Sequence, residues 1–513
     1  MTTTSSPALN RRRFLTTSAG AATLGMTGGT GALASGVTDD WAAAFDRGLA
    51  QHPWLLGYAT AQRNEYVAQA EISGRWPAAL TGTLFRNGPA AHQIGTYRYH
   101  HWFDGDGLLQ AYRLDGKGVT HKAKFVQTFK RQAEQEAGRA LYPGFGSVPP
   151  RPAPVTGPDA VNVANISVLH HHDRLLALWE AGSPWEMDAD TLDTVGPYSF
   201  SDFTSGVPFS AHPRVEADGT LWNFGYLSAA NTMVLWHIDR HGKIVKADKF
   251  PLDPITMVHD FVVTSRHIVL VVAPFHYRGN ASNFLDAHEW QPDDPTRVVV
   301  IDKNDFGNRF EVELPAQWVF HFGNGWEDDA GVIRFDAARA DSPLVMIDNF
   351  RGVMRGEPGG PSPSHHHQYR IDTRARTISE APLFGTNVDS EFPCTDPRVS
   401  CRRNRTLTML TADSRQPAPH GGLSEVSTFD LDSGKRATYR YPATMMPEEH
   451  LFVPRPGSAP ETDGWVVGTA LDWQAQVTVL NVFDASAVNA GPIATARLPY
   501  ALPLGLHGKF VHA

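Results

Sequence analysis

One hairpin recurs along this chain, and nothing else in the sequence constrains the fold as strongly. A short apolar strand ends in Asp, a polar turn follows, and a second strand runs on, often to a Pro. The copies are AYRLDGKGVTHKAKFV, WEMDADTLDTVGPYSF, LWHIDRHGKIVKADKFPL, VVVIDKNDFGNRFEVELP, QYRIDTRARTISEAPL, STFDLDSGKRATYRYP and VLNVFDASAVNAGPIATARLP. Their marker aspartates are Asp115, Asp188, Asp239, Asp302, Asp372, Asp432 and Asp484, about 60 residues apart on average. An Asp at a hairpin tip accepts hydrogen bonds from the backbone of its own turn, so it needs no catalytic role here. Strands in a fixed repeat make radial blades. A β-sandwich also uses hairpins, but seven copies of one hairpin fit a ring better. The expected fold is therefore all-β, a seven-bladed β-propeller. A four-stranded blade needs ~40–45 residues, so each repeat has length to spare. The surplus is uneven. Residues 130–160 combine a helical pattern, KRQAEQEAGRA, with a Pro-rich loop, and 277–296 and 353–366 are polar or Gly/Pro-rich insertions. Gathered at one end of the ring, they would build a loop and helix cap over its axis.

The histidines keep the same phase. His212 stands 24 residues after Asp188, His259 20 after Asp239, His321 19 after Asp302, and His507 23 after Asp484. In a propeller the chain leaves the outer hairpin of one blade and enters the innermost strand of the next. Residues at that phase face the axis, so four imidazoles would converge on one point, as a metal ion requires. Glu391, 19 residues after Asp372, and Glu449, 17 after Asp432, fill two further phases. Carboxylates facing the same axis would accept the free N–H of a metal-bound imidazole and fix its ring and tautomer. Glu180, in LLALWEA, falls outside this spacing. So do the runs His170–His172 and His365–His367, which read as loop or strand-edge residues. His237 and His241 lie in an outer hairpin and read as solvated. Taken singly, each phased histidine is a plain β-core residue; the shared phase is what makes ligands of them. Neutral imidazoles suit iron, copper, nickel and zinc alike.

Composition narrows the classes. Of 513 residues, 42% are hydrophobic and 19% charged, which describes a folded soluble chain and not a disordered one. The formal charge is −9, with no basic block outside the N-terminus, which argues against a nucleic-acid partner. Two cysteines exclude a disulfide scaffold and a Cys-based zinc or iron–sulfur site. The N-terminus reads as an address. Arg11-Arg12-Arg13-Phe14-Leu15, a mild apolar stretch and Ala32-Leu33-Ala34 make residues 1–34 an export signal of the twin-arginine type, with Asn10 where Ser or Thr is usual. Residues 35–57 form an N-terminal arm, and 58–513 a single propeller domain. The expected location is periplasmic. No other segment approaches the ~18 apolar residues of a membrane span.

From Tyr58 to the C-terminus the chain resembles the carotenoid cleavage oxygenases, a family that also holds stilbene-cleaving enzymes and a retinoid isomerase. GTLFRNGPA and HWFDGDGLL are similar to its N-terminal signatures. SAHPRVE, MVHDF, FHFGNGWE and LPLGLHGKFV carry His212, His259, His321 and His507; RLLALWEAG, SEFPCTDPR and EEHLFVPRPG carry Glu180, Glu391 and Glu449. The resemblance implies Fe(2+) on the four histidines and the three glutamates behind them. It implies a non-haem dioxygenase that uses O2 to cleave a C=C bond of an apolar conjugated substrate, a carotenoid or apocarotenoid, into two carbonyl products. An apolar patch at a tunnel mouth, and membrane contact for substrate uptake, are expected with it. Two alternatives stand beside this reading. One is a stilbenoid or phenylpropanoid cleaver, which would grip a phenol with a Lys and a Tyr, Lys130 being the candidate Lys. The other is a propeller binding module without oxygenase activity. Export would allow Cys394 and Cys401, both at positions that depart from the family, to pair. HWFDGDG lacks the twelfth-position glutamate of a calcium loop and reads as a turn.

Overall fold

Each recurring hairpin is the outer half of a blade. The computed structural model describes residues 40–513, so the expected export signal and residues 35–39 of the arm lie outside the described residues. Seven antiparallel sheets of four or more strands make the ring. Blade 3 shows the plan, with Arg214–Val215 innermost, then Leu221–Leu227, Thr232–Ile238 and Ile244–Pro251 outward. Asp239 caps the outer turn by accepting from His241 and Lys243 N–H. Asp115, Asp188, Asp302, Asp372 and Asp484 cap equivalent turns. The sixth marker is misplaced by two residues. Asp430, not Asp432, accepts from the turn's backbone N–H groups, because the strand Glu425–Asp430 ends there.

The two chain ends close the ring. The C-terminal strand His507–His512 is the innermost strand of blade 1 and pairs with Thr81–Asn87. The N-terminal strand Glu71–Gly74 adds the outermost strand to blade 7, beside Ala494–Arg497. Each of these two blades thus holds strands from both ends of the described chain, which fastens the ring at the joint.

The insertions form the cap, as expected, and the arm belongs to it. Helix α1 (Trp41–Gln51) starts at Asp40, whose side chain accepts from Ala43 N–H. Helix α2 (Phe129–Ala137) begins at a Thr128 cap and stops at left-handed Gly138. Helix α3 (Phe350–Met354) follows a π-turn at Val345–Asn349. A Cβ on Gly48 would lie 2.1 Å from the Gly356 carbonyl oxygen, so α1 meets the end of α3 only because glycine stands there. Phe45, Trp54, Leu55, Trp102, Met354 and Leu506 form one buried cluster that seats the cap on the ring.

Several smaller expectations change. His365–His367 lie inside the strand Ser364–Asp372, and buried His366 bonds Asp336 at 2.7 Å, so they are not loop residues. His237 is half-buried and stacks on Trp222, 4.2 Å between ring centres, so only His241 is solvated. HWFDGDG does form a turn, Trp102–Asp104, ahead of a strand. Cys394 and Cys401 are both free thiols.

Candidate metal centre

The ladder of the inner strands fails where function needs it to. The register of Trp318–Glu327 on its neighbour breaks between Val319 and Phe322, around His321. Val388–Cys394 breaks after Glu391, and Met445–Pro454 breaks between Pro447 and His450, around Glu449. A bulge frees one residue from the pleat and re-aims its side chain. Here three bulges turn one His and two Glu toward the axis. Phe392, at φ +55 in the second bulge, stacks against the His321 ring.

His212, His259, His321 and His507 offer ring nitrogens that all lie within 4.8 Å of one another. The ring centres of His212 lie 4.5, 5.1 and 4.6 Å from those of His259, His321 and His507. Three of the rings are anchored by carboxylates. His259 Nδ1 donates to Glu180 at 2.6 Å, His321 Nδ1 to Glu391 at 2.6 Å, and His507 Nδ1 to Glu449 at 2.9 Å. With the proton on Nδ1, each Nε2 presents a lone pair inward. All seven residues expected from the sequence thus meet in one site, Glu180 included. Its phase was illegible because it follows the second strand of blade 2, Arg174–Leu178, and not an innermost strand.

Among the described residues no carboxylate bonds the His212 ring. Its backbone N–H bonds Ser210 Oγ at 3.1 Å, and that hydroxyl also reaches the His259 carbonyl at 3.4 Å. Burial drives the His212 pKa well below its ordinary value, and the three neighbouring rings add to this. Burial also lowers His507, against the pull of Glu449. At His321 burial pulls down too, but Glu391 outweighs it and the net direction is up.

The donors fit a first-row metal ion. His212 and His259 Nε2 stand 2.9 Å apart, the separation of two ligands at right angles on metal–nitrogen bonds of about 2.1 Å. His321 Nε2 is buried without a hydrogen-bond partner among the described residues, as a nitrogen reserved for a ligand would be. Four imidazoles without a coordinating carboxylate leave a divalent ion its charge and open positions for further ligands.

Several residues of the site were not found in the sequence. Tyr226 donates to the second oxygen of Glu180 at 2.7 Å. Arg86, fully buried, donates to the carbonyls of Glu449 and Leu506, the residues beside and behind His507; it lies in GTLFRNGPA. Over the site stands an aromatic wall. Phe320 meets His259 edge-on at 5.4 Å between centres, Phe103 meets Phe320, and Phe145, Phe284 and Phe350 continue the contacts. Lys130 is buried and its Nζ lies 3.0 Å from Tyr99 OH, 3.0 Å from Asp106 and 2.8 Å from Glu134.

An axial four-histidine metal centre backed by three glutamates, on a seven-bladed propeller with an aromatic cap, defines a class of metal-dependent oxygenases. The family described as retinal pigment epithelial membrane protein matches residues 59–512, and the chain belongs to it. Apocarotenoid-15,15'-oxygenase of Synechocystis sp. is 29% identical over 484 residues, 90% of this chain and 97% of its own. Isoeugenol monooxygenase of Pseudomonas putida is 28% identical over 487 residues, 91% of this chain and 98% of its own. A cobalt-substituted Synechocystis ACO superimposes with a TM-score of 0.81 at 29% identity, covering 90% of this chain and 98% of that one. The chain is an enzyme of this oxygenase class, which sets the binding-module reading aside.

Proposed function

We propose that the protein is a non-haem Fe(2+) dioxygenase that cleaves a C=C bond of a carotenoid or apocarotenoid with O2, giving two carbonyl products. The observation that carries this is the convergence of His212, His259, His321 and His507 beneath an aromatic wall. Iron held there would supply activation of dioxygen. The protein's own part is positioning. Glu180, Glu391 and Glu449 hold three rings in the ligating tautomer. Phe103, Phe145, Phe284, Phe320 and Phe350 offer ring faces and edges to an extended conjugated chain. No side chain at the centre is arranged as a general acid or base.

The stilbenoid or phenylpropanoid reading has one observation in its favour, the adjacency of Lys130 and Tyr99. An ammonium has three N–H donors, and Lys130 spends them on Tyr99, Asp106 and Glu134. Tyr99 in turn donates to Glu134 at 2.5 Å. The pair keeps no N–H or O–H to donate to a phenolate or phenol oxygen, which favours the apolar substrate. Product analysis after anaerobic loading with Fe(2+) tests this, with an apocarotenal and isoeugenol or a lignostilbene offered separately. Cleavage of the apocarotenal is expected; cleavage of the phenol alone reverses the assignment.

Export to the periplasm belongs to the same proposal, supported by Arg11-Arg12-Arg13 and Ala32-Leu33-Ala34. Replacing Arg11 and Arg12 by Lys should leave the chain in the cytoplasm; unchanged export overturns it. Substrate uptake at a membrane surface is supported by Leu344, an exposed apolar side chain beside the cap's π-turn. No helix among the described residues is long and apolar enough to cross a membrane.

A further inference from the structure

We propose that Arg214 and Asp260 are the positioning pair of the metal centre, setting the mutual placement of His212, His259 and His321 without touching the ion. This rests on reading the four histidines as metal ligands. Arg214 lies two residues beyond His212, and Asp260 directly follows His259. Arg214 Nη2 lies 2.8 and 2.6 Å from the two Asp260 carboxylate oxygens. The same guanidinium donates through Nε to the Phe261 carbonyl at 3.0 Å, and to the carbonyls of Phe322 at 3.1 Å and Gly323 at 3.4 Å. Asp260 also accepts from Phe261 N–H at 2.7 Å and Phe322 N–H at 2.9 Å. One ion pair, its carboxylate buried and its guanidinium partly so, therefore ties the backbone that follows His259 and His321 to the residue two beyond His212, on three different blades.

The reason for such a device is that the sheets do not hold these ligands. The inner strands of blades 3 and 4 are two residues long, Arg214–Val215 and Val262–Val263, and His212 and His259 precede them. His321 sits in the register break of blade 5. His507 differs. It opens a six-residue strand, pairs directly with Asn87, and is backed by Arg86. The ion pair stands where ladder bonds are missing. It requires arginine, because a planar guanidinium reaches a carboxylate and three carbonyls at once, and an ammonium does not. Arg214→Lys keeps the charge toward Asp260 and gives up most of the backbone ties.

The test compares the wild-type protein, Arg214→Lys, and the double variant Arg214→Met with Asp260→Asn, which leaves no lone buried charge. Each is loaded with Co(2+); the ligand-field absorption is recorded and release to a chelator is timed. A double variant at the Lys130–Glu134 pair in the cap, to Met and Gln, serves as a control for general softening. The axial double variant should melt cooperatively, release cobalt at least about tenfold faster and show an altered spectrum, with Arg214→Lys between it and wild type and the cap variant unchanged. Wild-type release with a wild-type spectrum overturns the proposal, as does equal acceleration in the cap variant. If the axial double variant does not fold, Arg214→Lys carries the test alone, and wild-type release from it is the overturning result. A wild-type protein that takes up no cobalt removes the metal reading itself, an outcome distinct from all of these.

Discussion

At the axis, positions are set by directional bonds. Three imidazoles hang on carboxylates at 2.6–2.9 Å, and two guanidiniums, Arg86 fully buried and Arg214 partly so, grip the backbone around these histidines. In the cap, Phe103, Phe145, Phe284 and Phe350 are held by apolar packing, touching one another at 5.2–5.4 Å between ring centres and at mixed angles. Ring contacts of this kind are weakly directional and tolerate substitution, whereas charge-assisted bonds do not. The difference teaches where, on the proposed function, each property would reside: the chemistry at the rigidly bonded axis, the choice of substrate in the loosely packed cap.

The largest expected effect is at the axis. His259→Ala should remove bound iron and oxygenase activity together, as metal analysis and O2 uptake would show. On the proposed reading the ring carries a ligand nitrogen, and it is one of the two hydrogen-bond partners of the Glu180 carboxylate among the described residues. Full activity with a normal iron content would sink the metal assignment.

A smaller loss is expected one bond further out. Glu391→Gln should leave the melting curve nearly in place while weakening metal retention about 10–100-fold, read as faster iron release to a chelator. His212, whose ring bonds no carboxylate among the described residues, provides the contrast. Ser210→Ala, which removes its backbone tie, should speed release by less than Glu391→Gln. If the two are equal, the carboxylates are not what distinguishes the anchored ligands.

In the cap the expected change is of selectivity. Phe103→Ala opens space between Phe320 and Phe145 and leaves every metal ligand untouched. Iron content should stay at the wild-type level, and the ratio of kcat/KM between a long and a short conjugated substrate should move several-fold; one Phe-sized void is worth ~3 kcal/mol at most for a partly exposed ring. A parallel fall for both substrates, with iron lost, would erase the distinction between the two regions.

The same distinction explains what could be read from the sequence. The ring was legible because each blade writes its turn chemistry again, Asp capping the outer hairpin. Four His, Glu391 and Glu449 were legible because residues at one phase of a repeat share the axis. Glu449 fits better still once the sixth turn is counted from Asp430, since it then stands 19 residues on, as Glu391 does from Asp372. Glu180, by contrast, needed a resemblance, because it lies after a second strand. The aromatic wall was not legible at all. Phe103, Phe145, Phe284 and Phe350 come from a turn, two loops and a short helix, and no period connects them. Of the loop and strand-edge readings of His365–His367, the strand is right, and its alternation buries the middle histidine, which a run of identical residues conceals.

The smallest expected effect joins cap to ring through His101. Its Nδ1 accepts from Phe103 N–H at 3.1 Å, so its Nε2–H donates to the Met346 carbonyl at 2.9 Å and ties the π-turn down. Burial lowers its pKa from 6.5 to about 3. An unfolded chain therefore takes up a proton near pH 6.5 that the folded one refuses. Stability from this group is complete above that value and falls as pH drops toward 3, by about 2 kcal/mol at pH 5. Asp104, in the same turn, has the opposite sign. Burial raises it to about 6, against its bonds from Ser147, Gly146 and Phe145, so its contribution grows as pH falls from about 6 toward 4. Asp104 and the other buried histidines are present in both proteins and cancel when wild type is compared with His101→Gln, whose amide can still accept from Phe103 and donate to Met346. Between pH 7 and pH 5 the wild-type melting temperature should drop about 2 °C more than that of His101→Gln, at the low end of the usual scaling for a chain this long. Equal drops would mean that the imidazole is not held neutral, and that the motif anchors the cap by packing alone.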